Sequence, residues 1–165
     1  MVKRFCLLVI LIVFCCFSFA QSVGTSFEDL TFEQLKTKAK NSGKLIFIDC
    51  YTEWCGPCKK MVRETFPLKE VGEYMDSTFI SAKFDCEKGE GIDIRERFGV
   101  SSYPTYLILD SDGKVINTTG GFHNGNDFIL LLRKLSSSGI NLDTYGKRYS
   151  DGDRSHQFIY DYCEM

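Results

Sequence analysis

The stretch KLIFIDCYTEWCGPCKKM, residues 44–61, sets the architecture of this chain. Its first part, KLIFIDCY, is a short and nearly continuous apolar run, the pattern of a strand buried on both faces of a sheet. Beyond Cys55, the residues Lys59, Lys60, Met61, Val62, Glu64 and Phe66 favour a helix with one apolar face, until Pro67 interrupts it. A strand covered on both faces needs layers on both sides of its sheet, so the chain reads as an α/β structure. The same junction places two cysteines, Cys55 and Cys58, at a helix N-terminus, with Gly56 and Pro57 between them.

The remaining pattern supplies the layers. Thr31 and Gln34 have the spacing of a capping box, Phe32, Leu35 and Ala39 keep helical spacing, and Gly43 stands where that helix should end. This predicts a helix over 32–42. A short helix is expected over Lys69–Met75, FISAKFDC reads as a second strand, and GIDIRERFGV gives one or two helical turns closed by Gly99. TYLILD, SDGK and VINTTGG predict a hairpin whose turn chemistry comes from Asp112 and Gly113. NDFILLLRKLSSSG then closes the domain as an amphipathic helix, with Phe128, Leu131, Leu132 and Leu135 on one face. Helices alternating with strands in this order give a central mixed sheet with crossover helices. No internal repeat or low-complexity tract interrupts the pattern.

The opening segment MVKRFCLLVILIVFCCFSFA bears on the compartment. Lys3 and Arg4 precede an apolar run from Phe5 to Phe17, and Ser18-Phe19-Ala20 puts small residues at both cleavage-determining positions. The expectation is a signal peptide cleaved after Ala20. The run falls short of the ~20 apolar residues that a membrane span needs. Neither Cys15 nor Cys16 follows the small residue expected before a lipidated cysteine. The expected layout is a leader over 1–20, a linker over 21–30, one domain over 31–139 and a partly helical tail over 140–165.

Losing Lys3 and Arg4 with the leader would move the formal charge from -2 to -4. That mild acidity lacks the basic stripe of a nucleic-acid binder, and no nucleic-acid partner is expected. Of eight cysteines, Cys6, Cys15 and Cys16 lie in the leader, which leaves Cys50, Cys55, Cys58, Cys86 and Cys163. The remainder is odd, so in an oxidising compartment at least one thiol must stay free, pair between chains or change state.

Two of these cysteines carry a mechanism. A cysteine at a helix N-terminus meets partial positive charge and free amide groups, which favour the reactive thiolate. Two intervening residues let the second sulfur reach the first, so Cys58 can attack a mixed disulfide formed at Cys55 and release the reduced partner. Pro57 fits early in the helix, where no intrahelical amide bond is lost. An inert bridge is one competing reading, but it would close too small a loop to stabilise much. Half a zinc site is the other, but it would want a second ligand pair, and Cys50, Cys86, Cys163, His123 and His156 all stand isolated.

FIDCYTEWCGPCKKM followed by FGVSSYPTYLILD resembles the thioredoxin superfamily, whose Trp-Cys-Gly-Pro-Cys-Lys active site would lie here at Trp54–Lys59. The resemblance covers 32–135 and implies a thioredoxin fold. It implies that Cys55 is the exposed attacking cysteine and Cys58 the buried resolving one, with Trp54 beside them on the partner-docking surface. By the same resemblance, Asp49 matches the buried acid below Cys58, Lys83 its partner, and Pro104 the cis-proline loop facing the dithiol. A cis bond there would leave the Tyr103 backbone free to pair with an extended client segment. Asp49 could take the proton that Cys58 loses, because burial raises a carboxyl pKa; an ordinary buried ion pair with Lys83 is the other reading.

The chain departs from the thioredoxin pattern in its leader, Cys50, Cys86 and its tail. Strand alternation puts Cys50 and Cys86 on one face if Asp49 and Lys83 share the other. A structural disulfide and two buried thiols are then the alternatives. His123 is expected in a surface loop. In the tail, Phe158, Ile159 and Tyr162 begin an apolar helical face, and the segment is similar to the helical extension of some bacterial envelope proteins.

The resemblance thus implies thiol:disulfide exchange on protein disulfides in the cell envelope, without cofactor or metal. Gly56-Pro57 resembles reducing members, which would require an electron donor, expected to be membrane-bound. An oxidase or isomerase is the catalytic alternative, and a client-binding adaptor with an idle dithiol the alternative of another class.

Overall fold

The structure, a computed structural model, describes residues 24–136 and 149–155. The expected leader ending at Ala20, His156, Cys163 and the apolar face begun by Phe158, Ile159 and Tyr162 lie outside the described residues.

Helix α1 (Phe32–Ser42) begins with the capping box read from the sequence. The Gln34 N–H donates to Thr31 Oγ1 at 3.3 Å, and the Thr31 N–H to Gln34 Oε1 at 2.9 Å. Then follow β1 (Leu45–Tyr51), α2 (Gly56–Glu64), α3 (Lys69–Thr78), β2 (Phe79–Asp85), α4 (Glu90–Phe98), β3 (Thr105–Leu109), β4 (Val115–Gly120) and α5 (Gly125–Ser136). The sheet order is β2-β1-β3-β4, with β1 parallel to β2 and antiparallel to β3, and β3 antiparallel to β4. This is a mixed sheet flanked by helices, the expected fold class. In the tail, Tyr149 and Ser150 are helical and lead into a turn at Asp151 and Gly152.

Two helices end elsewhere than expected. The Thr65 and Phe66 N–H groups both converge on the Met61 carbonyl, so the chain leaves α2 before reaching Phe66. In α3, the Ser77 hydroxyl donates to the Tyr74 carbonyl at 2.8 Å and supports a last turn that carries the helix past Met75.

Alternation along β1 divides the core. Ile46, Ile48 and Cys50 pack with Leu35, Ala39 and Ile94 on the face covered by α1 and α4. Phe47 points the other way, to Met61, Met75, Tyr106 and Phe128, beneath α2, α3 and α5. Both faces are dry, which is why the strand reads as an unbroken apolar run. On α5, Phe128 and Leu132 are fully buried and Ile129 packs beside them, whereas Leu131, expected on the same face, is only half-buried. Three of the four expected residues, Phe128, Leu132 and Leu135, thus lie in that cluster, and Ile129 joins them.

Residues 24–30, read as the end of a linker, are docked against the domain. Phe27 bridges Ser81 in parallel, and the Glu28 N–H donates to the Ser81 carbonyl at 2.8 Å on the outer side of β2. The Ser26 N–H and hydroxyl both donate to the Asp76 carboxylate, at 3.0 and 2.7 Å. A Cβ on Gly72 would lie 2.3 Å from the Gly24 carbonyl, so α3 meets this segment backbone to backbone. Polar composition suggested a linker because composition does not register backbone pairing. Among the described residues, no helix is long and apolar enough to cross a membrane.

Candidate active site

The chain leaves β1 at Tyr51, and Cys55 becomes the N-cap of α2, with Pro57 in the first turn. Cys55 and Cys58 are disulfide-bonded, their Cα atoms 5.3 Å apart. The Cys58 N–H donates to Cys55 Sγ at 3.1 Å. The helix thus aims an otherwise unpaired amide at the Cys55 sulfur, which favours negative charge there. One expectation is corrected: Cys55 is 2% exposed and Cys58 4%, so neither is the open one. In the bridged state each sulfur covers the other. Access therefore does not separate them, whereas the amide contact does.

The Tyr103–Pro104 peptide bond is cis. Trp54 stands 65% exposed, its ring edge-on to Tyr103 with centroids 5.8 Å apart. The Trp54 indole N–H donates to Glu87 Oε1 at 3.0 Å. Behind the loop, the Pro104 carbonyl accepts the Gly121 N–H at 3.0 Å, and a Cβ on Gly120 would come within 2.5 Å of the same oxygen. Glu87 and Gly120 were missed in the sequence. Each meets its partner across the fold, and no local pattern marks them.

The β1–β2 register sets Asp49 opposite Lys83. Lys83 Nζ lies 3.3 Å from Asp49 Oδ2, while Asp49 Oδ1 has no hydrogen-bond partner among the described residues. Burial pushes the Asp49 pKa up from 3.8 to about 6, and the nearby Lys83 ammonium only partly opposes it. That ammonium also sits 5.2 to 5.4 Å from the ring centres of Phe27, Tyr51 and Phe66. A cleft of about 610 Å³ runs between Cys58 and Lys83, lined also by Tyr51, Thr52, Val62 and Arg63.

The raised pKa has a consequence for stability. The folded state holds the Asp49 proton between pH 3.8 and about 6, where the unfolded chain has released it. Stability is therefore lost as pH rises through that window. Asp49→Asn removes the loss, and the variant should gain up to about 3 kcal/mol over wild type at pH 7 and nothing below about pH 4. Denaturant titrations at the two pH values measure this; an equal difference at both would show that the charge is not its source.

Cys50 and Cys86 are both buried free thiols, not a bridge. They share the face that strand alternation assigned to them, in one cluster with Phe84 and Ile94. Cys50, however, lies opposite Phe84, which puts Cys86 two residues further along. For ideal parallel strands that diagonal is ~8 Å between Cα atoms, beyond disulfide reach. His123 lies in the β4–α5 loop, its ring stacked on Phe128 and its carbonyl accepting the Thr65 hydroxyl at 2.6 Å.

A family model described as a thioredoxin-like domain matches residues 32–136. The chain belongs to the thioredoxin-like family. Its matched domain carries the disulfide-forming cysteine pair. The thioredoxin of Chlamydia caviae is 35% identical over 92 residues, 56% of this chain and 83% of that protein. The thiol:disulfide interchange protein DsbD of Pseudoalteromonas atlantica is 31% identical over 87 residues, which cover 52% of this chain and 15% of that protein. The solution structure of a candidate disulphide-isomerase from Bacteroides thetaiotaomicron is 35% identical, with a TM-score of 0.64 over 72% of this chain and 98% of that one. The chain spans less than half the length of several curated thioredoxin-fold relatives that it matches.

Proposed function

We propose that this protein exchanges thiols and disulfides with protein clients, Cys55 attacking and Cys58 resolving. The observation that carries this reading is the Cys58 N–H donated to Cys55 Sγ at 3.1 Å. In the reduced enzyme the same amide would stabilise a Cys55 thiolate. That thiolate attacks a client disulfide, forms one new S–S bond, and releases the client's other sulfur as a thiolate. Cys58 then loses its proton and attacks the Cys55 sulfur. The mixed disulfide breaks, the client leaves fully reduced, and the enzyme is left in the bridged state described above.

Asp49 is our candidate base for the second step, with Lys83 holding its carboxylate and the cleft beside Cys58 giving the proton a way out. A pKa of about 6 suits that task near neutral pH. Trp54, Tyr103 and Pro104 form the docking edge, where the Tyr103 backbone pairs with an extended client segment.

The compartment belongs to the same reading: a leader over 1–20 cleaved after Ala20, a domain over 31–139 working in the cell envelope, and a tail over 140–165. Its similarity to a thiol:disulfide interchange protein supports that placement. Reduction is the favoured direction, driven by a membrane-bound dithiol donor. Isomerisation is the second reading, favoured by the similarity to the Bacteroides structure.

Insulin reduction and refolding of a scrambled multi-disulfide protein distinguish the two directions. Fast insulin turnover without unscrambling supports the reductase. In the insulin assay Asp49→Asn should slow turnover roughly tenfold or more near pH 7, and less toward about pH 9, where hydroxide takes over the work of a base. Turnover unchanged across that range would reduce Asp49 to a structural partner of Lys83.

A further inference from the structure

The segment ahead of α1 reaches the site through one side chain. The Thr25 N–H donates to the Phe66 carbonyl at 2.8 Å, Ser26 is tied to the Asp76 carboxylate, and Phe27 and Glu28 pair with Ser81. These bonds fix the backbone on both sides of Phe27. Its ring meets the Phe66 ring edge-on, with centroids 4.9 Å apart.

Those two rings and that of Tyr51 surround one ammonium. Lys83 Nζ lies 5.2 Å from the centre of Phe27, 5.2 Å from that of Tyr51 and 5.4 Å from that of Phe66, each within cation–π range. The rings come from three separate parts of the chain: the segment ahead of α1, the end of β1 and the α2–α3 connection. A lysine head on its four-carbon stem otherwise turns to water, and the Lys83 side chain is 24% exposed. Here the rings hold it 3.3 Å from Asp49 Oδ2, while Asp49 Oδ1 has no hydrogen-bond partner among the described residues. One carboxylate oxygen is thus anchored and the other is left to take a proton.

We propose that Phe27 is a positioning residue, which holds the Lys83 ammonium against Asp49 and makes the segment ahead of α1 part of the proton-transfer apparatus. The inference rests on the reading of Asp49 as the base for Cys58. The Lys83 charge opposes the rise that burial imposes on the Asp49 pKa, so a loosened ammonium should let Asp49 keep its proton to higher pH. Of the other ionisable groups around the pair, Tyr51 and Asp85 stand two positions further along β1 and β2, and Tyr106 faces Asp49 from β3. Glu53, Cys58, Lys59 and Arg63 line the cleft, and a second hollow beside Lys83 holds Glu28, Asp29, Lys88 and Glu90. Phe27→Leu alters none of these groups, whereas deleting the segment would also remove the Glu28 and Asp29 carboxylates.

The test is titration of the Asp49 carboxyl, followed by NMR in the bridged protein, beside the pH profile of insulin reduction. Phe27 is half-buried and leucine keeps the apolar bulk, so the variant should fold. In Phe27→Leu the Asp49 midpoint should rise by roughly half a pH unit, the effect of one lost cation–π contact, and the acid limb of insulin turnover should rise with it. Phe27→Tyr, which keeps a ring, should titrate as wild type. With Lys83→Met in place, Phe27→Leu should add no further shift. An unchanged midpoint in Phe27→Leu, a shift of the same size in Phe27→Tyr, or an equal shift with Lys83 already replaced would overturn the inference. The pH profile separates it from the reading on which it rests. If the midpoint rises and insulin turnover does not follow, Asp49 is not the base and the segment has no part in proton transfer. If Asp49→Asn slows turnover while the midpoint stays put in Phe27→Leu, the inference alone fails.

Discussion

Cys55→Ser is expected to abolish client turnover, by at least ~10³-fold, whereas Cys58→Ser should halt the reaction halfway and leave clients covalently attached to Cys55. A serine hydroxyl does not ionise near neutral pH, so the first variant has no nucleophile for a disulfide sulfur. In the second variant the nucleophile remains, with the helix N-terminus still behind it. The Cys58 amide that faces Cys55 Sγ comes from the backbone and survives the substitution. What is lost is the second attack. Non-reducing electrophoresis of each variant, mixed in its reduced form with a disulfide-bearing protein, reads the outcome. Adducts should accumulate with Cys58→Ser and disappear on adding dithiothreitol. Adducts with Cys55→Ser and none with Cys58→Ser would reverse the two roles.

The largest stability effect should come from Phe47→Ala. Phe47 is fully buried on β1, and its ring lies 5.5 Å from Tyr106, 5.8 Å from Phe79 and 6.1 Å from Phe128. These neighbours come from β3, β2 and α5, so no single element can move in to fill the space. Such a truncation costs about 3–5 kcal/mol. The midpoint of denaturant unfolding should fall accordingly with little change in slope, and thermal unfolding should occur roughly 15 °C lower. A loss below about 1 kcal/mol would mean that the sheet and α5 close around the gap.

The parts of the fold that could be read from the sequence are those fixed by neighbours along the chain. The capping box at Thr31, the double-sided strand at β1, the hairpin turn at Asp112-Gly113 and the helix-capping position of Cys55 all depend on spacings of a few residues. Asp49 opposite Lys83 was also within reach, through the family resemblance. Exposure of the two reactive cysteines was not, because it depends on whether their sulfurs are joined. Alternation put Cys50 and Cys86 on the correct face, but alternation carries no register, and register decides whether two thiols on one face can be joined. The Trp54–Glu87 bond and the edge-on contact of Trp54 with Tyr103 join segments brought together only by the fold. No pattern within either segment announces them.

The docking of residues 24–30 has a further meaning for how molecules of this protein meet one another. Strand β2 lies at the end of the sheet, and its outer side is covered by the short pairing of Phe27 and Glu28 with Ser81. An uncovered strand edge is a template for the same edge of a second molecule. A chain trimmed to begin at Thr31 would keep Cys55, Cys58, Asp49 and Lys83 and lose this cover. The short segment ahead of α1 thus takes up part of the strand edge through which a second copy would otherwise pair.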